Sequence, residues 1–294
     1  MGSHRIALMS RRISLYDAPM KATRFKDVFS TRYFPLIGMV HLQALPGAPR
    51  RQGSMESIID AARRDAAILV AAGFDGIMVE NFGDAPFFPE RVPSVTVAAL
   101  TACCLEIKAE LDGQLLGVNV LRNDASAALG IAAVVGADLV RVNVHCGAMW
   151  TDQGLIQGHA HETTRERAAL GAPVVLLADI LVKHAQPPAP VKAADAAREV
   201  VHRGLADGII ISGRGTGAPI DPRVLEAAAE ALPGCPILIG SGLSPELLPA
   251  LAARATGAIV GSWLKVDGEV SNPVDPERAR RLVEARDRFA ESRA

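Results

Sequence analysis

Short stretches rich in Val, Ile and Leu alternate along the chain with segments whose apolar residues recur at helical spacing. Buried parallel strands have near-continuous apolar sequences, whereas the helices that cover them are apolar on one face only. The pattern therefore predicts eight strands, each followed by a helix. The predicted strands are 36–42, 75–81, 114–121, 138–145, 173–180, 207–212, 236–241 and 257–264, and the predicted helices are 55–72, 94–111, 124–136, 162–170, 192–203, 222–232, a segment beginning at 245, and 276–289.

The fourth of these strands, DLVRVNVH, has the most informative polar pattern. Its valines point to one face, and Arg141, Asn143 and His145 point to the other, because side chains alternate along a strand. A polar face packed beneath helices would leave unpaired polar groups, at a cost of about 1–3 kcal/mol each. In a closed barrel this face is expected to look into the lumen, near its mouth.

Eight β/α units without a break in composition favour an α/β fold of the (β/α)8 TIM-barrel type with a single domain, because eight parallel strands close a barrel. A doubly wound open sheet is the alternative. Such a sheet usually carries a GxGxxG turn after its first strand, and none follows 36–42. We assign residues 32–294 to the barrel. Residues 1–31 are basic and weakly periodic, and we predict that they form an N-terminal extension or a helix that closes the barrel bottom.

The composition restricts the partners of the chain, which has 294 residues, 49% of them apolar, and a formal net charge of −1. A nearly neutral chain is poorly suited to nucleic acid, because affinity for a phosphate backbone depends on excess positive charge. No apolar run reaches the ~20 residues that a membrane span needs. The N-terminus also lacks the apolar segment of a signal peptide. These features predict a cytoplasmic protein without a membrane span.

Six consecutive predicted strands end in polar side chains on the face that would line the lumen, and catalytic groups in such barrels lie at the C-terminal ends of the strands. Glu80 and Asp179 are the best candidates for proton transfer, because a carboxyl group in a partly dry pocket can have its pKa moved toward neutrality. Arg141 either pairs with one of these carboxylates or anchors an anionic group of the substrate. In this polar ring, the residues predicted to be catalytic are Glu80, Asp179 and His145, and those predicted to bind substrate are His41, Asn81, Asn119, Arg141, Asn143, Lys183 and Ser212.

Glycines and serines follow the last three predicted strands, in the sequences SGRGTG (212–217), GSG (240–242) and GSW (261–263). Glycine lets backbone N–H groups approach an anion closely, and the loops after strands seven and eight are the usual phosphate site of these barrels. The alternative interpretation is that these glycines only permit tight turns. We predict a phosphate site formed by Thr216, Gly240, Ser241, Gly242, Gly261 and Ser262.

No cofactor is predicted for the polar ring. Glu80, Asp179, His41 and His145 could together supply ligands to a divalent metal, but none of the four belongs to an HxH or HExxH motif. A divalent metal is therefore the less favoured alternative.

Several long segments of the chain have a specific and collinear sequence: GMVHLQALPGAP (38–49), DGIMVENFGDAPF (75–87), GVNVLRNDASAALGIA (117–132), RVNVHCGAMWTDQGLIQG (141–158), ADILVKHA (178–185) and VGSWLKVDGEVSNPVD (260–275). These segments closely resemble the BtpA/SgcQ family, from about residue 36 to the C-terminus. The resemblance implies a TIM-barrel-type fold. It also implies one of two functional labels, which are a role in photosystem I biogenesis and an enzyme of sugar-related operons.

The resemblance draws attention to polar residues in two loops beyond the polar ring. Arg122 directly follows predicted strand three, and Asp152 lies in the long loop after predicted strand four. Loops held by a rigid scaffold often carry functional residues. We therefore predict that Arg122 binds substrate and that Asp152, which has no obvious capping role, is a further catalytic candidate.

Two kinds of function fit this pattern. The first is an enzyme acting on a small phosphorylated sugar or nucleotide-like compound, by glycosyl-bond hydrolysis or transfer or by isomerase- or epimerase-type proton transfer. A Schiff-base aldolase is disfavoured, because Lys183 lies beyond its strand and Lys265 follows the phosphate loop. The alternative is a non-catalytic assembly factor of the BtpA type that binds a protein partner. By analogy with other barrels, we expect a homo-oligomer.

Overall fold

Eight parallel strands close into a barrel, which confirms the predicted fold class. The computed structural model describes residues 29–30 and 33–292, so most of the predicted N-terminal extension lies outside the described residues. The strands are β1 (Leu36–His41), β2 (Gly76–Glu80), β3 (Leu115–Asn119), β4 (Leu139–Val142), β5 (Ala148–Thr151), β6 (Gly154–Gln157), β7 (Val175–Ile180), β8 (Ala185–Gln186), β9 (Gly208–Ile211), β10 (Ile237–Ile239) and β11 (Gly257–Val260). Around the barrel the order is β1-β2-β3-β4-β7-β9-β10-β11, and β11 pairs with β1.

Helices follow the strands and cover the outside of the barrel. The first begins where predicted, because Ser54 accepts a hydrogen bond from the N–H of Ser57, and it ends at Gly73, whose φ is 92°. None of the helices in the described part of the chain has both the length and the apolar composition needed to cross a membrane. The helices are α1 (Met55–Ala72), α2 (Ser94–Ala109), α3 (Ala125–Val135), α4 (Ala160–Ala169), α5 (Ala193–Arg198), α6 (Pro222–Ala231), α7 (Leu248–Leu251) and α8 (Pro276–Glu291).

An apolar plug fills the lower part of the barrel lumen, and Phe29 packs against it. Because side chains alternate along a strand, the next lumen position on each strand lies two residues further on. On β1 the lumen position after Met39 is occupied by His41, and on β2 the lumen position after Met78 is occupied by Glu80. The polar ring therefore lies directly above the plug, which consists of Ile37, Met39, Met78, Leu115, Leu139, Val175, Leu177, Ile210, Leu238 and Ile259.

The region after β4 differs from the prediction. Strand β4 ends at Val142, and the chain then forms an antiparallel hairpin of β5 and β6, with β8 paired to β5. Asn123 holds the chain just beyond β4, since its side-chain amide accepts from the N–H of Val144 at 2.8 Å and donates to the Val144 carbonyl at 2.9 Å. The strand alternation therefore stops before His145.

Two other predicted boundaries were wrong. The helix predicted to begin at 245 is reduced to the single turn α7. Predicted strand eight is longer than the observed strand. β11 ends at Val260, and the chain turns at Gly261 into the short 3-10 helix Ser262–Leu264. By contrast, the predicted helix at 192–203 is confirmed, as α5 continues into the π-helical turn Glu199–Arg203.

Two buried ion pairs fasten the helices to the barrel. Arg286 of α8 donates to the Asp75 carboxylate at 2.7 Å, and the same carboxylate oxygen accepts from the N–H of Leu36 at 2.9 Å. Lys265 donates to Asp65 of α1 at 2.5 Å and is only 1% exposed. Lys265 therefore holds α1 to the segment after β11 and is not available to a ligand at the mouth.

Candidate active site

Two adjoining cavities open at the C-terminal end of the barrel. The larger has a volume of about 870 Å³ and is lined mainly by the loops after β1, β2, β3 and β7. The smaller has a volume of about 490 Å³ and is lined by the loops after β9, β10 and β11. Among the residues that line both are His41, Glu80, Lys183 and Thr216. Three titratable side chains, His41, Glu80 and Lys183, therefore lie where the two cavities meet.

The Glu80 carboxylate is held by the strands on either side of it. In the parallel register Glu80 pairs with His41 of β1 and with Asn119 of β3. Asn119 Nδ2 donates to Glu80 Oε2 at 2.5 Å, and His41 Nε2 lies 3.8 Å from Glu80 Oε1. Glu80 Oε1 accepts no hydrogen bond within the described residues. This oxygen is thus held in place and remains available to a ligand.

Arg141 and Asp179 form a buried, bidentate ion pair. Arg141 donates to the two carboxylate oxygens at 2.8 and 2.9 Å, Asn143 donates to one of them at 3.2 Å, and Ser212 lies 3.4 Å from the other. The Asp179 side chain is 0% exposed and lines neither cavity. Of the two roles predicted for Arg141, pairing with a carboxylate is therefore the one observed. Asp179 positions Arg141, and nothing around it supports its predicted role in proton transfer.

His41 is held in its neutral form. Its side chain is 7% exposed, its ring packs against Phe82 with centroids 4.7 Å apart, and its Nδ1 has no hydrogen-bond partner among the described residues. Burial, assisted by the positive charges of Lys265, Lys183 and Arg141, holds the pKa of His41 well below its usual value of 6.5. A neutral imidazole can donate one hydrogen bond to a ligand and accept another.

The free energy of unfolding should fall as the pH drops below about 6.5. Burial lowers the pKa of His145 as well as that of His41, so the unfolded chain takes up protons first and is favoured by acid. As the pH falls from the unfolded pKa of each histidine to its lower folded pKa, that histidine should reduce the free energy of unfolding by up to about 1.4 kcal/mol per pH unit. Urea unfolding between about pH 7.5 and about pH 5.5 measures this slope.

Single substitutions separate the contributions to this slope. His41→Asn should make the slope shallower by the share of one histidine. The matched control is His202→Asn at an exposed position, and it should leave the slope unchanged. An H41N protein with the same pH dependence as the wild type would contradict the neutral state assigned to His41.

A sharply turned loop after β7 brings Lys183 back over the mouth. Leu181 and His184, on either side of it, have φ values of 47° and 55°, a region that residues with a side chain rarely occupy. Arg122 donates to the Lys183 carbonyl at 2.7 Å, and His184 Nε2 lies 2.9 Å from the Thr216 hydroxyl. In the described part of the chain, the Lys183 ammonium has neither a hydrogen-bond nor an ion-pair partner.

The smaller cavity has the glycine-rich wall that the sequence predicts, formed by Gly240, Gly242, Gly261 and Ser262, which we call the glycine cradle. Gly242 has a φ of 71°, and a Cβ atom on Gly261 would lie 3.0 Å from His41 Cε1. The N–H groups of Gly242 and Ser262 donate to no other group among the described residues. The cradle therefore offers unpaired backbone donors to an anion.

Two further side chains contribute to the smaller cavity, those of Ser241 and Arg278. The Ser241 hydroxyl donates to the Ala218 carbonyl at 2.9 Å and accepts from the N–H of Gly213 at 2.7 Å, so it joins two loops together. Arg278 of α8 also lines the cavity and donates to the Trp263 carbonyl at 3.1 Å. The predicted phosphate site thus has a guanidinium in its wall that sequence reasoning missed.

The sequence profile of the BtpA family matches residues 32–288. The chain belongs to the BtpA family. A protein of Thermococcus kodakarensis is 49% identical over 85% of this chain and 94% of its own length. The photosystem I biogenesis protein BtpA of Synechocystis is 45% identical over 88% of this chain and 91% of its own length. The resemblance seen in the sequence is therefore confirmed.

Solved structures similar to this BtpA-family barrel support the fold. Phosphoribosyl anthranilate isomerase from Thermus thermophilus superimposes with a TM-score of 0.53 at 12% identity, covering 87% of this chain and all of the other. Mycobacterium tuberculosis tryptophan synthase gives a TM-score of 0.59 at 16% identity, covering 89% of this chain and 96% of the other. At such low identity these similarities establish the barrel architecture and nothing about the reaction.

The placement of His145 at the mouth was wrong. Its Nε2 lies 2.7 Å from the Gly204 carbonyl, it is 1% exposed, and it lines neither cavity. Asn81 also lines neither cavity, because its amide accepts from the N–H of Leu121 at 2.7 Å and donates to Asp84 at 3.1 Å. Both residues join segments of the BtpA-family fold and are out of reach of a ligand in the cavities.

Two further groups stand apart from the junction of the cavities. Asp152 is exposed on the β5–β6 hairpin and lines the rim of the larger cavity. An HxH spacing does occur, at His159 and His161, and with Glu162 it forms the group of potential metal ligands found among the described residues. None of these three lines either cavity of the mouth, and the four ligands considered for the polar ring are not brought together as such a group.

Proposed function

We propose that the chain is an enzyme that moves a proton at a carbon atom of a small phosphorylated sugar or nucleotide-like compound. The observation that carries this proposal is the position of Glu80, whose carboxylate lies where the two cavities meet. A ligand with its phosphate in the smaller cavity would have its neighbouring carbon atoms beside that carboxylate. General-base catalysis requires this proximity between the carboxylate and the proton that it removes.

Phosphate binding is supported by the donors around the smaller cavity. The N–H groups of Gly242 and Ser262 are unpaired among the described residues, and Arg141 and Arg278 line the same space. Backbone N–H groups and guanidinium groups are the usual partners of phosphate oxygens, because their hydrogen bonds to an anion are strengthened by charge.

Isomerase- or epimerase-type proton transfer fits these surroundings better than glycosyl-bond hydrolysis. Hydrolysis by the usual route needs two carboxyl groups that face the same sugar. Asp179 has both oxygens engaged, and Asp152 lies exposed at the rim of the larger cavity, where Gln153 donates to one of its oxygens. Proton transfer next to a carbonyl needs one free carboxylate and a group that stabilises negative charge on oxygen. Glu80 fits the first role, and Lys183 and Arg122, which line the larger cavity, fit the second.

Hydrogen exchange with solvent tests the proposed reaction. The protein is incubated in D2O with a panel of phosphorylated aldoses, ketoses and nucleoside monophosphates, and each compound is followed by proton NMR. We expect deuterium to enter the carbon next to the carbonyl of at least one compound. If no compound exchanges hydrogen, isomerises or releases a free sugar or base, the chain is not the enzyme proposed.

Ser262→Asp should abolish stabilisation of the fold by inorganic phosphate. Phosphate at ~100 times its Kd should stabilise the wild type by about 2.7 kcal/mol, because it binds the folded state. An aspartate in the glycine cradle places a negative charge where the phosphate would lie. Thermal unfolding with and without phosphate measures the difference.

Ser94→Asp is the matched control for this experiment. It adds the same charge at an exposed position in the first turn of α2, away from the lining of both cavities. This variant should keep the full stabilisation by phosphate. If both variants keep it, or both lose it, the phosphate site is not in the cradle.

A non-catalytic assembly factor is the second candidate. It is favoured by the Synechocystis relative, whose name is that of a photosystem I biogenesis protein. An assembly factor would act through a surface that binds a protein partner, and the exchange experiment would then detect no turnover. The expected homo-oligomer stays a prediction of the sequence.

A further inference from the structure

Lys183 is a cation of the mouth that no acidic group among the described residues neutralises directly. Its ammonium lines both cavities and has no hydrogen-bond or ion-pair partner among the described residues. Arg141, in contrast, is paired with Asp179, and the other lysine of this region, Lys265, is paired with Asp65. Lys183 is partly buried, and the partial loss of water around its ammonium is not compensated by a protein partner among the described residues.

The backbone around Lys183 is also held in an unusual conformation. The two left-handed residues beside it, Leu181 and His184, turn the chain so that the side chain points back to the junction of the cavities. Bonds from Arg122 to the Lys183 carbonyl and from His184 to Thr216 keep the turn in place. Backbone strain of this kind persists only where surrounding contacts hold the conformation in place. It is concentrated at functional sites.

We propose that Lys183 forms a Schiff base with the carbonyl carbon of the phosphorylated substrate. The inference rests on the proposed function, since it takes the phosphate to lie in the glycine cradle. It deepens that function by naming the substrate class, which is a small phosphorylated aldehyde or ketone. It also reverses the expectation from the sequence, which disfavours a Schiff base because Lys183 lies beyond its strand.

The neutral amine is the form that reacts. Burial, followed by the positive charge of Arg141, lowers the pKa of the Lys183 ammonium, although the charges of Glu80 and Asp179 act in the opposite direction. Desolvation next to another cation is a known way to activate a lysine, because it raises the fraction of amine with a free electron pair. The surroundings of Lys183 therefore favour the chemistry that its position allows.

The proposed step is balanced without an oxidant or reductant. The Glu80 carboxylate first takes a proton from the Lys183 ammonium, and the nitrogen electron pair of the resulting amine attacks the carbonyl carbon. A C–N bond forms as the π electrons of the C=O bond move to the oxygen, and one proton passes from the nitrogen to that oxygen to give a neutral carbinolamine. The hydroxyl group then leaves as water with the proton held by Glu80, and a protonated imine and the Glu80 carboxylate remain. The Glu80 carboxylate next removes a proton from the neighbouring carbon, and the C–H electrons move toward the nitrogen to give an enamine. Reprotonation of that carbon and addition of water to the imine release the product and restore the amine.

Borohydride trapping tests the inference on the wild-type chain. The protein is incubated with dihydroxyacetone phosphate or glycolaldehyde phosphate, reduced with sodium borohydride and examined by peptide mass spectrometry. Reduction of the imine should add the mass of the probe less one oxygen atom to the peptide that contains Lys183. We expect labelling of Lys183 to exceed that of the exposed Lys192 at least about tenfold, because the partly desolvated amine is the activated one.

Variants and a competitor complete the experiment. Lys183→Arg and Lys183→Met should lose the adduct, since neither side chain can form an imine, whereas the control Lys192→Arg should keep it. Excess inorganic phosphate should suppress labelling by the phosphorylated probes but not by unphosphorylated dihydroxyacetone.

The outcomes separate this inference from the proposed function. If no reduction-dependent adduct forms at Lys183 with any of these probes, the Schiff base is overturned. If that protein still binds inorganic phosphate and exchanges hydrogen in D2O, the proposed function stands, and Lys183 acts only through its charge. If Lys183 is labelled but phosphate neither competes nor binds, the Schiff base stands and the phosphate site is wrong.

Discussion

Replacing Arg141 with methionine should lower the free energy of unfolding by about 3–5 kcal/mol. The substitution leaves the Asp179 carboxylate, which is 0% exposed, without the two hydrogen bonds of 2.8 and 2.9 Å that Arg141 donates. Methionine replaces much of the lost volume, so the main loss comes from a buried charge without its partner. Chemical denaturation of the two proteins at neutral pH measures the difference.

Arg63→Met is the matched control for this large effect. Arg63 also donates two hydrogen bonds to one carboxylate, that of Glu110, at 2.8 and 2.6 Å, but the two side chains are 45% and 27% exposed. Its loss should be much smaller than that of Arg141→Met, because water replaces an exposed partner. The double variant Arg141→Met, Asp179→Leu should recover part of the stability by removing both charges. Equal losses for the two single variants would argue against the burial of the Arg141–Asp179 pair.

Glu80→Gln should slow hydrogen exchange into the substrate by about 10²–10⁴-fold, which is the usual contribution of a general base. Glutamine keeps the size of the side chain and can still accept the hydrogen bond from Asn119, so the fold and the binding of phosphate should be retained. The measurement uses the phosphorylated compound that the wild type exchanges in D2O. The expected change is in kcat, with KM largely preserved, because the lost interaction acts on the transition state.

Two other carboxyl variants define what this result means. Glu106→Gln alters an exposed residue of α2 and should exchange hydrogen at the wild-type rate. Asp152→Asn tests the other carboxylate that lines the larger cavity. If Asp152→Asn stops exchange and Glu80→Gln does not, the base is Asp152 and the assignment of Glu80 is incorrect.

The position of the polar ring follows from the sequence because strand periodicity is a local property. Once Met39 and Met78 are assigned to the lumen, His41 and Glu80 must face the same way two residues later. Parallel strands in register then bring their ends together, and the structure pairs His41, Glu80 and Asn119 side by side. The barrel itself could be predicted for a similar reason, since eight apolar strands separated by helices leave few other arrangements.

The same reasoning fails where a strand ends earlier than its apolar pattern. The DLVRVNVH pattern continues to His145, but the amide of Asn123 bonds to the backbone at Val144 and the strand stops at Val142. Asn81 was misjudged in a related way, because its amide is bonded to the backbone of Leu121 on the next strand end. Periodicity describes which way a side chain points and contains no information on partners distant in the sequence.

The sequence contains no local signal for some features of the site. Arg278 enters the smaller cavity from the last helix. The position of Lys183 just beyond a strand predicts a place at the mouth, but the left-handed turn at Leu181 that precedes it could not be predicted. A left-handed leucine has no sequence signature, since the residues that favour this conformation are Gly, Asn and Asp. The pairing of Lys265 with Asp65, 200 positions away along the chain, is equally invisible before the fold is known.

The apolar plug decides how molecules travel to and from the polar ring. Its ten side chains fill the lumen, and Phe29 packs against them, so among the described residues no passage runs through the barrel. A ligand must therefore enter and depart by the opening at the C-terminal end of the barrel. The loops around the mouth, including those that carry Lys183 and Thr216, therefore govern the exchange of ligands as well as their recognition.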